Sequence, residues 1–278
     1  MNLSLTTDYI DSFGDPKPRL AEIAKAGFSH VHWCHEWNTD KLYSPEEIRD
    51  IGSWLKEFGL SLLDLHASEG REVSWGSVDE SKRRAGAALL ANRIEMTSGL
   101  GSDVIVIHIP FFEGLGPGEW FAPIRRSLDD LEPLHRRCGV RIAIENTGSD
   151  DNWSKLKVVF AEYPPEYVGL CYDSGHGNFN APSIGNLRLF KDRLIAIHIH
   201  DNDGSGDQHL LPFRGTVDWN LLTGIIAQSS YRKCVSLETG MKNFKEGDEQ
   251  AFLREAFKAG KKLSGMIEKA ARKARIES

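Results

Sequence analysis

Cysteine is scarce in this 278-residue sequence, and its four copies lie far apart. Cys34, Cys138, Cys171 and Cys234 form no Cys-x-x-Cys pair, so the sequence predicts neither a structural zinc knuckle nor a disulfide framework. Free thiols fit a reducing compartment. We therefore expect a cytoplasmic protein.

Long apolar runs and an excess of positive charge are also missing. Nowhere do about 18 apolar residues follow one another, and no basic region precedes an apolar stretch at the N-terminus, so we expect neither a membrane span nor an export signal. The net charge of -6 and the pI near 5.9 argue against a protein that mainly neutralises nucleic-acid phosphates. The composition, 40% hydrophobic and 27% charged, is typical of a globular protein.

Short apolar runs alternate with longer segments of helical periodicity along the chain. The runs are "NLSLTT", "FSHVHW", "LSLLDLHAS", "SDVIVIHIP", "VRIAIENTG", "YVGLCYDSGH", "LIAIHIHDN" and "KCVSLETG". Eight β/α units without a linker predict an α/β protein with a single (β/α)₈ TIM barrel over residues 1–278. An open doubly wound sheet is the competing fold, but no Gly-x-Gly-x-x-Gly follows the first strand, which disfavours dinucleotide binding.

Helix boundaries are marked by local signals in the segment "YSPEEIRDIGSWLKEFG". Ser44 is a predicted N-cap, Pro45 suits the first helical position, and Glu47 completes a capping box. Gly59 is a predicted C-terminal stop. These signals predict a helix of about four turns between the second and third strands.

Ionisable residues recur at the ends of the predicted strands. In a barrel, the loops that follow the strands open on one face, where catalytic groups collect. Residues two apart on a strand, such as His198 and His200, point to the same side. Six successive strand ends carry such residues: His66, His108, Glu145, Asp173 with His176, His198 with His200, and Glu238. We expect them to meet at the mouth of the barrel.

A cluster of this composition is predicted to hold a divalent metal ion. Burying several carboxylates together is costly unless cations neutralise them. Mixed imidazole and carboxylate ligands suit zinc, manganese or iron, whereas the scarcity of thiols disfavours a structural zinc cage. A hydrogen-bonded polar core without metal is the alternative.

Aromatic residues crowd the end of the second strand in "SHVHWCHEWN", which contains Trp33 and Trp37. An aromatic shelf at this strand end would stack on the apolar face of a sugar ring. We therefore include Trp33 among the candidate substrate-binding residues. Packing of the tryptophans in the core is the alternative.

Six motifs, in this order and at these strand ends, resemble the xylose-isomerase-like barrels over nearly the whole chain. That superfamily contains sugar isomerases and epimerases, some keto-acid dehydratases, and the type-two apurinic/apyrimidinic endonucleases. The motifs are "DLHAS" (64–68), "VIHIP" (106–110), "IENTG" (144–148), "YDSGHGN" (172–178), "HIHDNDGSGDQHLLPFRGTVDW" (198–219) and "LETG" (237–240).

The resemblance implies one of two ligand sets. The sugar-modifying members hold one metal, and the matching residues here are Glu145, Asp173, His198 or His200, and Glu238. The endonuclease-like members hold three metals, and the additional matching residues are His66, His108, His176, Asp207 and His209. Every matching position is filled. The resemblance therefore implies one to three divalent ions per chain, with manganese, zinc and iron as the candidates.

Two details of the seventh unit stay open. Matching "HIHD" to the family pattern His-x-x-Asp favours His198 as the ligand, which we prefer, whereas the His-x-His pattern of the epimerases favours His200. Family members often carry Leu-Gly-x-Gly before Asp-Trp, but this chain has Phe213 at the first glycine position, followed by Arg214. A guanidinium at the mouth would suit a substrate phosphate or carboxylate, and a solvent-facing Arg214 is the alternative. His200 and Arg214 are thus candidate substrate-binding residues.

The function that we expect is isomerisation or epimerisation of a small keto-sugar or sugar phosphate. A metal chelated by a carbonyl and an adjacent hydroxyl would stabilise the developing enediolate. Glu145 and Glu238 would remove a proton from the neighbouring carbon and return one. His176 would orient a substrate oxygen or a second metal.

Other functions remain open on the same scaffold. A dehydratase or retro-aldol enzyme would begin with the same proton abstraction. The filled nine-residue set also suits multi-metal cleavage of a phosphodiester at abasic DNA, although the acidic charge makes a nucleic-acid partner the weaker hypothesis. A metal-containing binding protein is the non-enzymatic alternative. We expect a small carbohydrate partner and no membrane, and a homo-oligomer is compatible with the sequence.

Overall fold

The eight apolar runs form eight parallel strands in the part of the chain that the structure describes. The computed structural model describes residues 2–111, 118–148, 150–179, 183–245 and 247–277. The strands are β1 Leu3–Thr6, β2 His30–Trp33, β3 Ser61–His66, β4 Val104–Ile107, β5 Arg141–Glu145, β6 Val168–Asp173, β7 Leu194–His198 and β8 Val235–Leu237. Their order in the sheet is β7-β6-β5-β4-β3-β2-β1-β8.

The sheet closes on itself between β7 and β8. Ile199, the residue after β7, forms a parallel bridge with Leu237. The Ile199 amide donates to the Ser236 carbonyl at 2.9 Å, and the Glu238 amide donates to the Ile199 carbonyl at 3.1 Å. The result is a nearly closed barrel of eight parallel strands with helices between them. The predicted TIM-barrel fold is confirmed.

The helices pack around the strands. They are α1 Lys17–Lys25, α2 Pro45–Phe58, α3 Glu80–Gly99, α4 Phe121–Cys138, α5 Asp150–Glu162, α6 Ser174–Asn178, α7 Ser183–Phe190, α8 Trp219–Ala227 and α9 Glu249–Glu277. Helix α2 has the ends that its sequence predicts, because Ser44 and Glu47 form a reciprocal capping box and Gly59 adopts the left-handed conformation at φ 68°. Within the described ranges, no helix has both the length and the apolar composition of a membrane span.

Helix α6 is a local feature that the apolar pattern did not predict. It begins immediately after β6, and the Asp173 side chain accepts a hydrogen bond from the His176 amide at 2.6 Å. The carboxylate thus caps the helix. The cap brings the His176 side chain back over the strand end that carries Asp173.

The interior of the barrel has two chemically different halves. Strand side chains alternate, so one set packs under the helices and the other points to the barrel axis. On β4 to β7 the positions that alternate with the strand-end His108, Glu145, Asp173 and His198 are apolar: Val104, Val106, Ala143, Cys171 and Ala196. On β8 and β1 to β3 the alternate positions carry buried polar residues: Ser236, Ser4, His32 and Asp64. We call these the apolar half and the polar half of the interior.

Candidate metal centre at the mouth of the barrel

Four residues at the ends of consecutive strands form the centre of the site. Glu145, Asp173, His198 and Glu238 each offer one ligand atom, and these atoms all lie within 4.8 Å of one another. The His198 Nδ1 atom lies 2.8 Å from Glu145 Oε2 and 2.8 Å from Glu238 Oε2. We call this set the inner group. Strands β5 to β8 bring it together, because the C-terminal ends of parallel strands meet at one face.

The inner group fits a divalent cation. Its atoms His198 Nδ1, His198 Nε2, Glu145 Oε2 and Asp173 Oδ2 are buried without a hydrogen-bond partner in the described part of the chain. The two 2.8 Å contacts of His198 are therefore close approaches that lack hydrogen-bond geometry. Buried polar atoms without partners are costly. A cation that accepts lone pairs from imidazole and carboxylate would satisfy them, and such donors suit zinc and related metals.

A second set lies on the β3 and β4 side of the mouth and consists of His66 and His108 with Glu145. We call it the first outer group. The Nε2 atoms of His66 and His108 are 3.4 Å apart, and His108 Nε2 lies 3.5 Å from Glu145 Oε1. Glu145 therefore contacts the inner group through Oε2 and the first outer group through Oε1.

A third set joins helix α6 to the loop after β7 and consists of His176 from α6 and of Asp207 and His209 from the loop. We call it the second outer group. Asp207 Oδ2 lies 3.0 Å from His209 Nε2 and 3.5 Å from His176 Nε2. His209 Nδ1 donates to the Glu238 carbonyl at 2.6 Å, so Nε2 is the ring nitrogen that faces Asp207. Asp207 and His209, which the family resemblance implies as additional ligands, therefore lie at the mouth of the barrel, and their role as ligands stays a prediction.

His200 lies between the inner group and the second outer group. Its side chain is fully buried, its Nε2 is 3.0 Å from Asp173 Oδ1 and 3.6 Å from Asp207 Oδ1, and its ring stacks on His209 at 4.1 Å. Of the two candidate ligands in the seventh unit, His198 at the end of β7 belongs to the inner group, and His200 beyond it contacts both groups. The roles of both histidines stay predictions.

The electrostatics of the cluster keep opposite charges together. Burial acts to lower the pKa of His108, but Glu145 and Glu69 raise it to about 10. Burial likewise opposes the charge on His209, yet contacts with Asp207 and Glu238 raise its pKa to about 10. Burial raises the pKa of Glu145, whereas His198 and His108 hold it well below its ordinary range. Protonated histidines thus neutralise the carboxylates when no metal is bound.

His66 differs from the other clustered histidines. Burial lowers its pKa to about 4, and the neighbouring His108 acts in the same direction. A neutral imidazole that is fully buried keeps a lone pair available at neutral pH. His66 is therefore ready to bind a metal without losing a proton.

Several residues that organise the cluster were not singled out in the sequence. The buried Asp201 carboxylate accepts hydrogen bonds from Phe213 N at 3.0 Å, Val217 N at 3.1 Å and Trp219 Nε1 at 3.1 Å, and so fixes the loop after β7. Glu69 hydrogen-bonds His108 Nδ1. The position of Asp201 directly after His200 was the available signal, but its partners are 12 to 18 residues away.

The Asn146 side chain joins two neighbouring strand ends. It donates to the Asp173 carbonyl at 3.0 Å and accepts from the Asp173 amide at 2.8 Å. The Asn146 carbonyl also lies 3.0 Å from His176 Nδ1. These contacts align Asp173 and His176 with Glu145, the residue before Asn146.

Two of the predicted substrate-binding residues lie apart from the cluster. Trp33 is fully buried, and its Nε1 donates to the Tyr43 hydroxyl at 3.2 Å. Trp33 therefore packs in the core, which is the alternative to substrate binding that the sequence leaves open. The exposed Arg214 lines a cavity of about 190 Å³ with Leu210, Gly240 and Phe244. Among the described residues, none of the metal-ligand candidates lines that cavity.

The partly buried tryptophan at the mouth is Trp37. Its ring lies 4.9 Å from the His66 ring and 6.2 Å from the His108 ring. The preceding Glu36 has a left-handed backbone at φ 58°, a conformation that costs energy in a residue other than glycine. The turn thereby directs Trp37, rather than Trp33, towards the first outer group.

A barrel of eight parallel strands that gathers histidines and carboxylates at its mouth defines a TIM barrel with a candidate metal centre. The model of the family described as xylose isomerase-like TIM barrel matches residues 20–261, and the chain belongs to this family. The predicted family is therefore confirmed. An uncharacterized protein of Sinorhizobium fredii, y4fM, is 32% identical over 249 residues, which cover 80% of each chain.

Solved structures with the same fold include sugar epimerases. A D-tagatose 3-epimerase-like protein matches with a TM-score of 0.78 and 18% identity, over 99% of this chain and 100% of that one. The D-psicose 3-epimerase of Clostridium cellulolyticum H10, solved with D-tagatose, matches with a TM-score of 0.75 and 18% identity, over 96% of this chain and 99% of that one. The IolI protein, solved with a zinc atom, matches with a TM-score of 0.73 and 20% identity, over 97% of this chain and 99% of that one. At these identities, the likeness shows the fold.

Proposed function

We propose that the protein is a metal-dependent isomerase or epimerase of a small keto-sugar or sugar phosphate. The observation that carries this proposal is the approach of two carboxylates, Glu145 and Glu238, to the same nitrogen of His198 at 2.8 Å. Two carboxylates beside one metal position would allow one group to remove a proton and the other to return one. The sugar epimerases among the solved structures support the same class of substrate.

The protonation states of the two glutamates suit this chemistry. Burial opposes their ionisation, but the neighbouring His198 holds the pKa of both Glu145 and Glu238 well below the ordinary range. Both side chains are therefore carboxylates at neutral pH. One accepts the proton from the carbon next to the substrate carbonyl, and the other, protonated by solvent, returns a proton to the opposite face of that carbon. The first carboxylate then releases its proton to solvent.

Other residues of the cluster would bind and orient the substrate. A bound divalent ion would supply Lewis acidity at the substrate carbonyl. Its holders in our proposal are Glu145, Asp173, His198 and Glu238. His176 would orient a substrate oxygen, and the Trp37 ring offers an apolar face for the sugar ring.

A second candidate is multi-metal cleavage of a phosphodiester. The specific observation in its favour is the division of Glu145 between two groups, with Oε1 at 3.5 Å from His108 and Oε2 at 2.8 Å from His198. A shared carboxylate is suited to adjacent metal ions, which stabilise the attacking and leaving oxygens of an in-line displacement. The net charge of -6 weighs against a nucleic-acid substrate.

Solvent deuterium decides between the two candidates. Metal-loaded protein is incubated in D₂O with a panel of ketohexoses, ketopentoses and their phosphates, and the products are analysed by NMR and chromatography. We expect deuterium at the carbon next to the carbonyl together with an epimer or isomer. Dehydration would be recognised by loss of water in the product. Efficient nicking of an abasic-site duplex without deuterium exchange into any sugar would contradict the proposal and establish the second candidate.

A further inference from the structure

A buried His–Asp pair lies in the polar half of the interior, and the proposed mechanism does not use it. His32 Nδ1 is 2.7 Å from Asp64 Oδ1, and both side chains have 0% exposure. His32 Nε2 and Asp64 Oδ2 have no hydrogen-bond partner within the described residues. Breaking such a buried pair is costly, whereas apolar residues of similar volume commonly replace both partners without loss of stability.

Packing alone does not require this pair. The apolar half of the same interior is filled by Val106, Ala143, Cys171 and Ala196, which need no polar partners. Apolar side chains can therefore fill the barrel at this level. The pair is better explained by what it contacts than by the space that it fills.

The pair contacts the inner group from below. The His32 ring lies 4.3 Å from the His198 ring, with an angle of 57° between the planes. One ring nitrogen of His32, one of His198 and one carboxylate oxygen of Glu238 all lie within 4.8 Å of one another. Because Asp64 holds Nδ1, the His32 ring has a fixed orientation against His198.

We propose that Asp64 and His32 form a positioning pair that holds His198 and Glu238 in their metal-binding arrangement before a metal binds. The inference rests on the proposed metal centre of the inner group. Groups that orient metal ligands from outside the coordination sphere typically change metal affinity by about 10- to 100-fold when they are lost. Asp64 and His32 are positioning residues, because neither is placed among the proposed holders of the metal.

The test separates metal affinity from stability. The background is the full chain with His66→Asn and Asp207→Asn, which removes one ligand from each outer group so that zinc titration reports the inner group. In this background, His32→Leu/Asp64→Leu replaces the pair by apolar residues of similar volume. We expect the metal-free double replacement to unfold at the background temperature or above, and its zinc Kd to rise about 10- to 100-fold.

Two further variants keep the test decisive. Val106→Ala, in the apolar half, should lower the unfolding temperature and leave the zinc Kd within about twofold, because it loosens packing without touching the pair. Asp64→Asn keeps the volume and should raise the zinc Kd about tenfold. A folded double variant with the background zinc Kd would overturn the proposal. If the double variant does not fold, an unchanged Kd in Asp64→Asn overturns it.

The outcome is independent of sugar turnover. A protein that binds zinc through the inner group but converts no sugar would contradict the proposed function and leave the positioning pair intact. Conversely, sugar epimerisation by a protein in which loss of the pair leaves zinc affinity unchanged would retain the function and reject the pair.

Discussion

The inner group and the second outer group are held by different parts of the fold. Glu145, Asp173 and His198 are strand residues with side chains at most 2% exposed. In contrast, Asp207 and His209 belong to a loop and are 40% and 35% exposed. Strand geometry fixes the first set, whereas hydrogen bonds within the loop fix the second. The comparison teaches that the inner group can exist without the second outer group, because only the second outer group depends on the loop after β7.

Glu145→Gln should have the largest effect, because this carboxylate belongs to both the inner group and the first outer group. We expect turnover in the deuterium assay to fall by at least about 100-fold. Metal content should fall at both groups, which elemental analysis after dialysis would detect. Glu46→Gln, on the exposed first turn of α2, is the control and should change neither value. Full turnover in Glu145→Gln would remove the inner group from the mechanism.

Asp201→Asn tests whether the buried Asp201 carboxylate holds the loop after β7, which carries Asp207 and His209. Asparagine keeps only one acceptor oxygen, so it loses either the bonds from Phe213 and Trp219 to Oδ2 or the bond from Val217 to Oδ1. We expect the free energy of unfolding in urea to fall by about 3 kcal/mol. Asp218→Asn is the matched control in the same loop: its carboxylate caps α8, and asparagine caps a helix equally well. Equal stability of both variants would show that Asp201 does not hold the loop.

Asp207→Asn tests whether the second outer group is a separate metal site. We expect metal affinity at this group to fall by at least about tenfold while the inner group keeps its metal. Asp203→Asn, on the same loop, is the control because its carboxylate bonds the nearby Ser205. Loss of all metal from Asp207→Asn would mean that the groups form one indivisible site.

Proton release on zinc binding should be the smallest effect. It reports the occupation of the two outer groups, because most of their histidines are protonated in the metal-free protein. The raised pKa values of His108 and His209, both about 10, mean that both are protonated at pH 7 in the metal-free protein. Burial opposes the charge on His176 in the second outer group, but Asp173 and Asp207 hold its pKa well above the ordinary value. Zinc needs neutral imidazoles, so occupation of both outer groups should release about three protons at pH 7. Titration calorimetry in buffers of different ionisation enthalpy measures this number. Occupation of the outer groups without proton release would contradict the assignment.

The same pKa shifts give the metal-free protein a defined pH dependence. The folded pKa of His108 lies above the ordinary value of 6.5. Its contribution to stability is therefore fully present below pH 6.5 and is lost as the pH rises through about 10. The opposite sign holds for Glu145, whose lowered pKa stabilises the fold above about pH 4.5 and loses that contribution on acidification.

Much of the inner group could be predicted because it follows from two local rules. Apolar runs predict the strands, and the polar residues at the strand ends are the candidate ligands, so the placement of Glu145, Asp173 and His198 at the mouth needed no knowledge of the loops. The arrangement of Asp207 and His209 could not be derived from periodicity, because it depends on Asp201 and on the left-handed backbone of His209 at φ 47°. For these two residues the family resemblance supplied the expectation.

The two tryptophans of the second unit show where the sequence signal ends. Trp33 and Trp37 are four residues apart in one aromatic segment, and composition does not distinguish them. Strand alternation buries Trp33 under the helices, whereas the turn at Glu36 brings Trp37 to the His66 ring. The left-handed backbone of Glu36, which glutamate rarely adopts, determines which tryptophan reaches the mouth. The apolar pattern of the sequence does not predict this conformation.

The seam between β7 and β8 places the two ends of the barrel wall beside two proposed ligands. His198 precedes the bridging residue Ile199, and Glu238 follows its partner Leu237. An ion held by both residues would connect β7 to β8, where the barrel closes. Slow exchange of the Ile199 and Glu238 amides with solvent would then depend on metal, which makes the closure of the wall and the loading of the site one cooperative event.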